Sequence, residues 1–276
     1  MVCGWAATAQ ADISLVLGLY PTERPRHMVQ AIRPSLDALE QAMERQLGEN
    51  VSIRTQILSD YFVALEQVLY GSVDFARLGP VSYVLGKKSD SGIELLAMEN
   101  EKGSVVFEGV IAVRESSDIS DVAQLPGRSF AFVSERSTLG RYFAQAYLAQ
   151  VGVHAQDLEG YDYLGNHEAV GLAVGAGRYD AGALNRRIFD KLTARGVQLR
   201  AIASFRNVTR AWVARSGLQP HVREALRQAL LGLDDPQVLK ALGFNGFLPG
   251  DDARYDKTRK VIAQNALFFS EHQQDD

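Results

Sequence analysis

Ser137 and Thr138 put two adjacent hydroxyls where an apolar, strand-like run, RSFAFV at 128–133, gives way to a helix-forming segment. The first amides of a helix lack intrahelical partners and its dipole is positive at that end, so an oxyanion held there gains hydrogen bonds and charge complementarity together. Ser and Thr are also preferred helix caps, so the pair alone reads either as a cap or as an anion cradle. Arg136 and Arg141 stand close enough in sequence to add charge. The Gly and Lys spacing of a nucleotide-phosphate loop is absent, which removes that form of phosphate chemistry.

A second helix start, Asn166-His167-Glu168, follows another strand-like run. The positive end of a helix disfavours imidazolium, so His167 is expected to act there as a neutral donor, or else as an ordinary surface residue. Three further strand ends carry polar aromatic or hydroxyl groups: Tyr20, Tyr61, and Ser82 with Tyr83 in the run GPVSY. Phenols, hydroxyls and amides gathered at one rim suit a crevice that hydrogen-bonds a polar ligand. Catalytic signatures are missing: Ser137 has no nucleophile elbow around it, and no spacing pairs two carboxylates. His27, His154, His167, His221 and His272 show no metal-ligand spacing, so neither metal nor cofactor is expected, and the chain reads as a binder rather than an enzyme.

The elements that must position these residues follow from periodicity. A β-rich run at 13–19, a helical stripe through Ile32, Leu36, Leu39, Met43 and Leu47, a strand at 51–58, a helix from Tyr61 and a strand at 73–79 alternate as β-α-β-α-β. After strands around 93–99 and 105–114 the alternation restarts at 128–133, with helices at 138–151, 167–176 and 186–195 and strands at 159–163 and 179–185. Extended segments over 198–215 lead to helices at 219–232, 235–242 and 253–268. Such alternation predicts an α/β protein with mainly parallel sheets flanked by helices, and ligand crevices at the carboxyl ends of the strands. The chain's 276 residues suit two lobes joined by crossing strands near 109–114 and 205–214.

A formal charge of −4 argues against a nucleic-acid partner, which calls for a basic face. No run approaches the ~20 apolar residues of a membrane span, so no membrane insertion is expected. The single cysteine, Cys3, rules out a disulfide framework. The opening CGWAATAQA ends in Ala9-Gln10-Ala11, the pattern that closes a secretory signal, so residues 1–11 read as a signal remnant and Asp12 as the mature start. Lipidation of Cys3 is the weaker alternative.

The segments YPTERP at 20–25, DYFVALEQVLYGSVDFARLGPVSYVL at 60–85, GVIAVRESSDISDVAQLPGRSFAFVSERSTLGRYF at 109–143, HEAVGLAVGAGRYDAGALN at 167–185 and KALGFNGFLPGDDARYD at 240–256 together resemble the phosphonate/phosphate/phosphite-type periplasmic substrate-binding proteins of ABC transporters. That resemblance implies a two-lobed type II periplasmic-binding fold, with lobe one from 12–110 plus 208–276 and lobe two from 111–207. It implies a periplasmic, monomeric protein that captures a small oxyanion between its lobes. An ABC permease would receive the ligand, or a membrane sensor kinase would read the closed form, arsenic oxyanions included. A phosphoester or phosphonate hydrolase on the same scaffold is the alternative of another class.

Carried over residue by residue, the resemblance puts the hydroxyl and amide cradle on Ser137 and Thr138, the imidazole donor on His167 and the facing phenol on Tyr61, with Tyr20, Ser82 and Tyr83 nearby. Departures narrow the ligand. Leu139 stands where the family often has a hydroxyl, and Phe107 near where many members have a tyrosine. Asn207-Val208-Thr209-Arg210 replaces an acidic run that could accept from an amine or a protonated oxygen. The expected ligand is therefore an inorganic oxyanion or a relative of one rather than an aminoalkylphosphonate.

Overall fold

The computed structural model describes residues 12–20, 25–101 and 103–270. The signal-like segment 1–11 with Cys3, most of YPTERP after Tyr20, and His272 lie outside the described residues.

The first α/β unit runs β1 (Ile13–Leu19), α1 (Pro25–Leu47), β2 (Val51–Ile57), α2 (Tyr61–Leu69), β3 (Phe75–Leu78), α3 (Pro80–Ser89) and β4 (Glu94–Glu99). Ile32, Leu36, Leu39 and Met43 form the buried stripe of α1, at the three- and four-residue steps that keep one helical face inward. Gly48, at φ 70°, ends that helix in a conformation glycine adopts without a Cβ penalty. The second unit contains β5 (Val106–Arg114), β6 (Ser129–Phe132), a π-helical turn (Thr138–Phe143) continuing into α4 (Ala144–Gln150), β7 (Gly160–Tyr163), α5 (His167–Gly175), β8 (Ala181–Asn185), α6 (Arg186–Ala194) and β9 (Leu199–Val208). The chain then returns through β10 (Ala211–Ala214), α7 (Pro220–Leu231), α8 (Pro236–Leu242), β11 (Phe247–Pro249) and α9 (Asp256–Gln264).

Two sheets result, ordered β11-β4-β10-β3-β1-β2 and β7-β6-β8-β5-β9. Both are mixed, where the alternation predicts mainly parallel sheets. β1 pairs in parallel with β2 and β3, and β6 with β7 and β8. β5 and β10 arrive from the other sheet and insert antiparallel, β5 beside β8 and β9, and β10 between β3 and β4. β5 and β9 pair from Val106↔Val208 to Arg114↔Leu199, which holds both strands wholly in the second sheet. The changeovers therefore fall at 100–105 and at Thr209-Arg210, not within the strands.

The end of the chain also departs from expectation. Val261 and Phe268 join the core of the second sheet, with the Phe268 ring 5.8 Å from Phe132 and 6.2 Å from Tyr161. Residues 256–270 thus strap back from α3 onto the second unit, where the expected division assigns 208–276 to the first. β11 is an edge strand of three residues ending in Pro249, too short to leave a periodic signal. Among the described residues no helix is long and apolar enough to cross a membrane.

Candidate ligand-binding site

The carboxyl ends of β1, β3 and β6, and the helix starts that follow β2 and β7, converge between the two sheets on a small cleft. Tyr20, Tyr61, Gly79, Pro80 and Arg210 form its first-sheet wall; Phe107, Ser137, Thr138, Leu139 and His167 form the other.

Local capping places the second wall. Ser137 Oγ accepts from the Gly140 amide at 3.0 Å, and Tyr142 N donates to the Ser137 carbonyl at 3.2 Å, which widens the first turn into a π-helical one. A Cβ on Gly140 would lie 2.2 Å from Val133 Cγ2, so this turn can settle against β6 only with glycine there. Asn166 caps α5 through the Ala169 amide at 2.9 Å and presents His167 in the first turn. The Asn185 amide donates to His167 Nδ1 at 3.1 Å, which leaves Nε2 as the protonated, donating nitrogen. Burial, followed by the Arg210 and Arg187 cations, pushes the His167 pKa down to about 3, so the ring is neutral.

The first wall is organised by charge. Glu99, at the end of β4, is 1% exposed and ion-paired with Arg77 and with Arg210, the latter at 3.6 Å; Trp212 Nε1 also donates to it at 3.2 Å. Burial opposes the charge on Glu99, and the Arg77 and Arg210 cations outweigh it, holding the carboxyl below its ordinary range. Burial likewise opposes the charge on Arg210, and Glu99, then Tyr20 and Tyr61, more than reverse it. The Arg210 guanidinium lies 5.4 Å from the centre of the Phe107 ring and shares the cleft with the Tyr20 and Tyr61 phenols. The rings of Tyr20 and Tyr61 lie 4.0 Å apart, and Tyr61 lines the same cleft as Ser137 on the opposite wall. Burial pushes the Tyr61 phenol well above its ordinary pKa, so it stays protonated.

The walls also meet at the start of α3, where the Val81 amide donates to Thr138 Oγ1 at 3.0 Å. A Cβ on Gly79 would stand 3.2 Å from the Tyr20 hydroxyl and 3.3 Å from Thr138 Oγ1, so glycine permits this approach. Five of the residues singled out from sequence, Tyr20, Tyr61, Ser137, Thr138 and His167, thus share one cavity. Ser82 and Tyr83 do not. The turn of α3 carries Tyr83 away, and its hydroxyl donates to Asp252 at 2.6 Å while its ring packs 4.6 Å from Tyr255. Ser82 is fully buried outside the lining, its Oγ without a hydrogen-bond partner.

Residues 17–255 match the family described as the phosphonate periplasmic substrate-binding protein of ABC transporters. The chain belongs to that family. Every cavity residue falls within the matched span. Among curated relatives, a phosphate-import protein PhnD of Mycolicibacterium smegmatis is 25% identical over 83% of this chain and 74% of its own. A probable ABC transporter phosphite-binding protein PhnD1 of Prochlorococcus marinus is 21% identical over 82% of this chain and 84% of its own. The crystal structure of PhnD1 from that organism with methylphosphonate superposes with a TM-score of 0.79, covering 91% of this chain and 97% of the other. The fold is accordingly the two-lobed type II periplasmic-binding α/β fold.

Arg210 belongs to the wall, although in the sequence its position stands out only for the carboxylate it lacks. The available signal was the location of Arg210 at the return crossing, directly before β10, where a side chain must point into the cleft or into a sheet edge. Glu99 and Arg77 give no such signal, because their pairing reaches across β10, which separates β4 from β3 in the sheet. Phe107 and Leu139 do line the cavity and give it two apolar surfaces. Among the described residues no cluster of three or more His, Cys, Asp or Glu could hold a metal.

Proposed function

We propose that this substrate-binding protein captures a small oxyanion of the phosphate, phosphite or phosphonate class between its lobes and delivers it to an ABC permease. The observation that carries this reading is the cleft whose lining brings together Arg210, four hydroxyls and a neutral imidazole. An oxyanion placed there receives charge-assisted hydrogen bonds from both walls, each stronger than its neutral counterpart. The ligand favours the closed arrangement because only there do both walls reach it. The names of the relatives, a phosphate importer and a phosphite binder, point to the same class.

In this reading the protein works outside the cytoplasm as a monomer, after removal of a leader ending at Ala9-Gln10-Ala11, and releases its ligand unchanged. Lobe one is 12–105 plus 209–255, and lobe two takes the rest of the described chain. Titration calorimetry with phosphate, phosphite, methylphosphonate, 2-aminoethylphosphonate, sulfate and arsenate tests the ligand class. Stoichiometric binding of one or more phosphorus oxyanions, without product, is expected. Binding of none of the phosphorus oxyanions, or turnover of one of them into product, would sink the reading.

A further inference from the structure

Arg136 stands directly before the cradle residues Ser137 and Thr138, yet its side chain is not part of the cleft lining. It leaves the second lobe instead. Its guanidinium lies 4.5 Å from the centre of the Phe62 ring, in the first turn of α2 on the first lobe. Phe62 is 45% exposed, and with Asp60, the cap of α2, it lines a groove shared with Ser134, Glu135 and Arg136 that meets the cleft at Tyr61. A guanidinium over an aromatic face is attracted by the ring quadrupole, the more so where water is partly excluded.

Arg187 makes a second crossing. It sits in the first turn of α6, where the dipole of its own helix disfavours a cation. Its guanidinium reaches the opposite end of another helix: Nη1 donates to the Leu242 carbonyl at 3.4 Å, at the C-terminus of α8 on the first lobe. There the dipole is negative and the last carbonyls lack intrahelical donors. Gly243, at φ 77°, makes the room, since a Cβ on it would stand 1.7 Å from Arg187 Nη1. Among the described residues, Arg187 is the one side chain of the second lobe in a pocket otherwise lined by β1, α1, β3 and α8.

The two contacts lie on opposite faces of the first sheet. Leu15, Leu17 and Leu19 of β1 pack with α1, α7 and α8 in one core, whereas Val16 and Ala76 pack with α2 and α3 in another. Arg187 therefore holds the α8 side and Arg136 the α2 side. Each is also tied to a group that lines the cleft: Arg136 precedes Ser137, and α6 begins at Asn185, whose amide holds His167 Nδ1.

We infer that Arg136 and Arg187 are positioning residues, a pair of clasps that hold the lobes together on both sides of the ligand and lengthen its stay without choosing which anion it is. Neither lines the cleft, so each favours the closed arrangement by the same amount whatever the ligand, and apparent affinity scales with the closed fraction. Arg187 is exposed and Arg136 half-buried, so water tempers both contacts and each is worth a severalfold effect. The inference rests on the proposed capture of an oxyanion between the lobes and deepens it.

Titration calorimetry and stopped-flow release with phosphate, phosphite and methylphosphonate test it on the wild type, Arg136→Gln, Arg187→Gln and the double variant. Arg186→Gln is the control, since Arg186 leaves the same turn of α6 but pairs with Glu108 inside the second lobe at 2.7 Å. Each clasp variant should raise Kd about 3- to 10-fold, by one common factor for every anion that binds, through faster release rather than slower association. The double variant should multiply the two factors. Arg136→Lys, which keeps a cation over Phe62, should recover part of the loss, and Arg186→Gln should keep wild-type affinity and release. Thermal melts without ligand confirm that the variants fold.

Factors that differ between anions would mean that the arginines touch the ligand, and wild-type affinity and release in the double variant would mean that they clasp nothing. Either result overturns the inference while anion capture stands, as would an Arg186→Gln loss equal to that of Arg187→Gln. If the wild type binds none of the three anions, the oxyanion reading itself falls, and the clasps with it.

Discussion

The two walls of the cavity are held by different physics. The first-sheet wall is an ion network, Arg77–Glu99–Arg210, whose members come from β3, β4 and the return crossing and satisfy one another without a ligand. The second-sheet wall is built from helix starts, where Ser137 and Asn166 cap their own turns and so aim Thr138 and His167 at the cavity. A wall made from distant charges is part of the fold, so damage to it should appear first as lost stability. A wall made from local caps contributes less to the fold, so damage there should appear first as lost affinity.

Glu99→Gln is the strongest way to break that contrast. It leaves Arg77 and Arg210 buried side by side without their counter-charge, and breaking a buried pair costs ~3–5 kcal/mol. Urea denaturation without ligand should show a loss of that order. Adding an anion should recover more stability than it gives the wild type, because it supplies the missing negative charge. On the opposite wall, Ser137→Ala combined with Thr138→Val should lower anion affinity by ~1.5–3 kcal/mol for each charge-assisted bond removed. Loss of the Ser137 cap should cost the fold ~1 kcal/mol. Calorimetry beside denaturation of the same variants would undo the contrast if the Glu99 variant lost only affinity and the Ser137/Thr138 variant only stability.

The same division explains what the sequence reveals. Strand and helix positions were readable almost throughout because apolar residues recur at the steps each element requires, as in Ile32, Leu36, Leu39 and Met43 of α1. The helix-start wall was readable because caps are local: Ser137, Thr138, Asn166 and His167 each stand within a few residues of the element they begin. Sheet direction at β5 and β10 was not, since a strand's pattern carries no sign of where it inserts. Nor was the ion network, because Glu99 and Arg210 are distant in sequence and each alone resembles a surface charge. Tyr83 failed for a subtler reason: the strand end was correctly located, but one turn of α3 sends its side chain to Asp252.

His167 provides the smallest and cleanest test of the second wall. Its folded pKa of about 3 lies below the ordinary histidine value, so between those two pH values the unfolded chain binds a proton that the folded protein does not. Stability therefore rises with pH across that window and is lost on acidification. The loss between neutrality and pH 5 should be ~2 kcal/mol. Glu99, lowered in the fold, loses its contribution only at the more acid end, and Glu101, raised in the fold, acts with the opposite sign. The difference between the wild type and His167→Gln therefore isolates the imidazole. Denaturation curves at pH 7 and pH 5 should show the wild type losing ~2 kcal/mol more than the variant. Equal losses would mean that the imidazole is charged or exposed in the fold, and Nε2–H could then no longer be counted as a fixed neutral donor in the cleft.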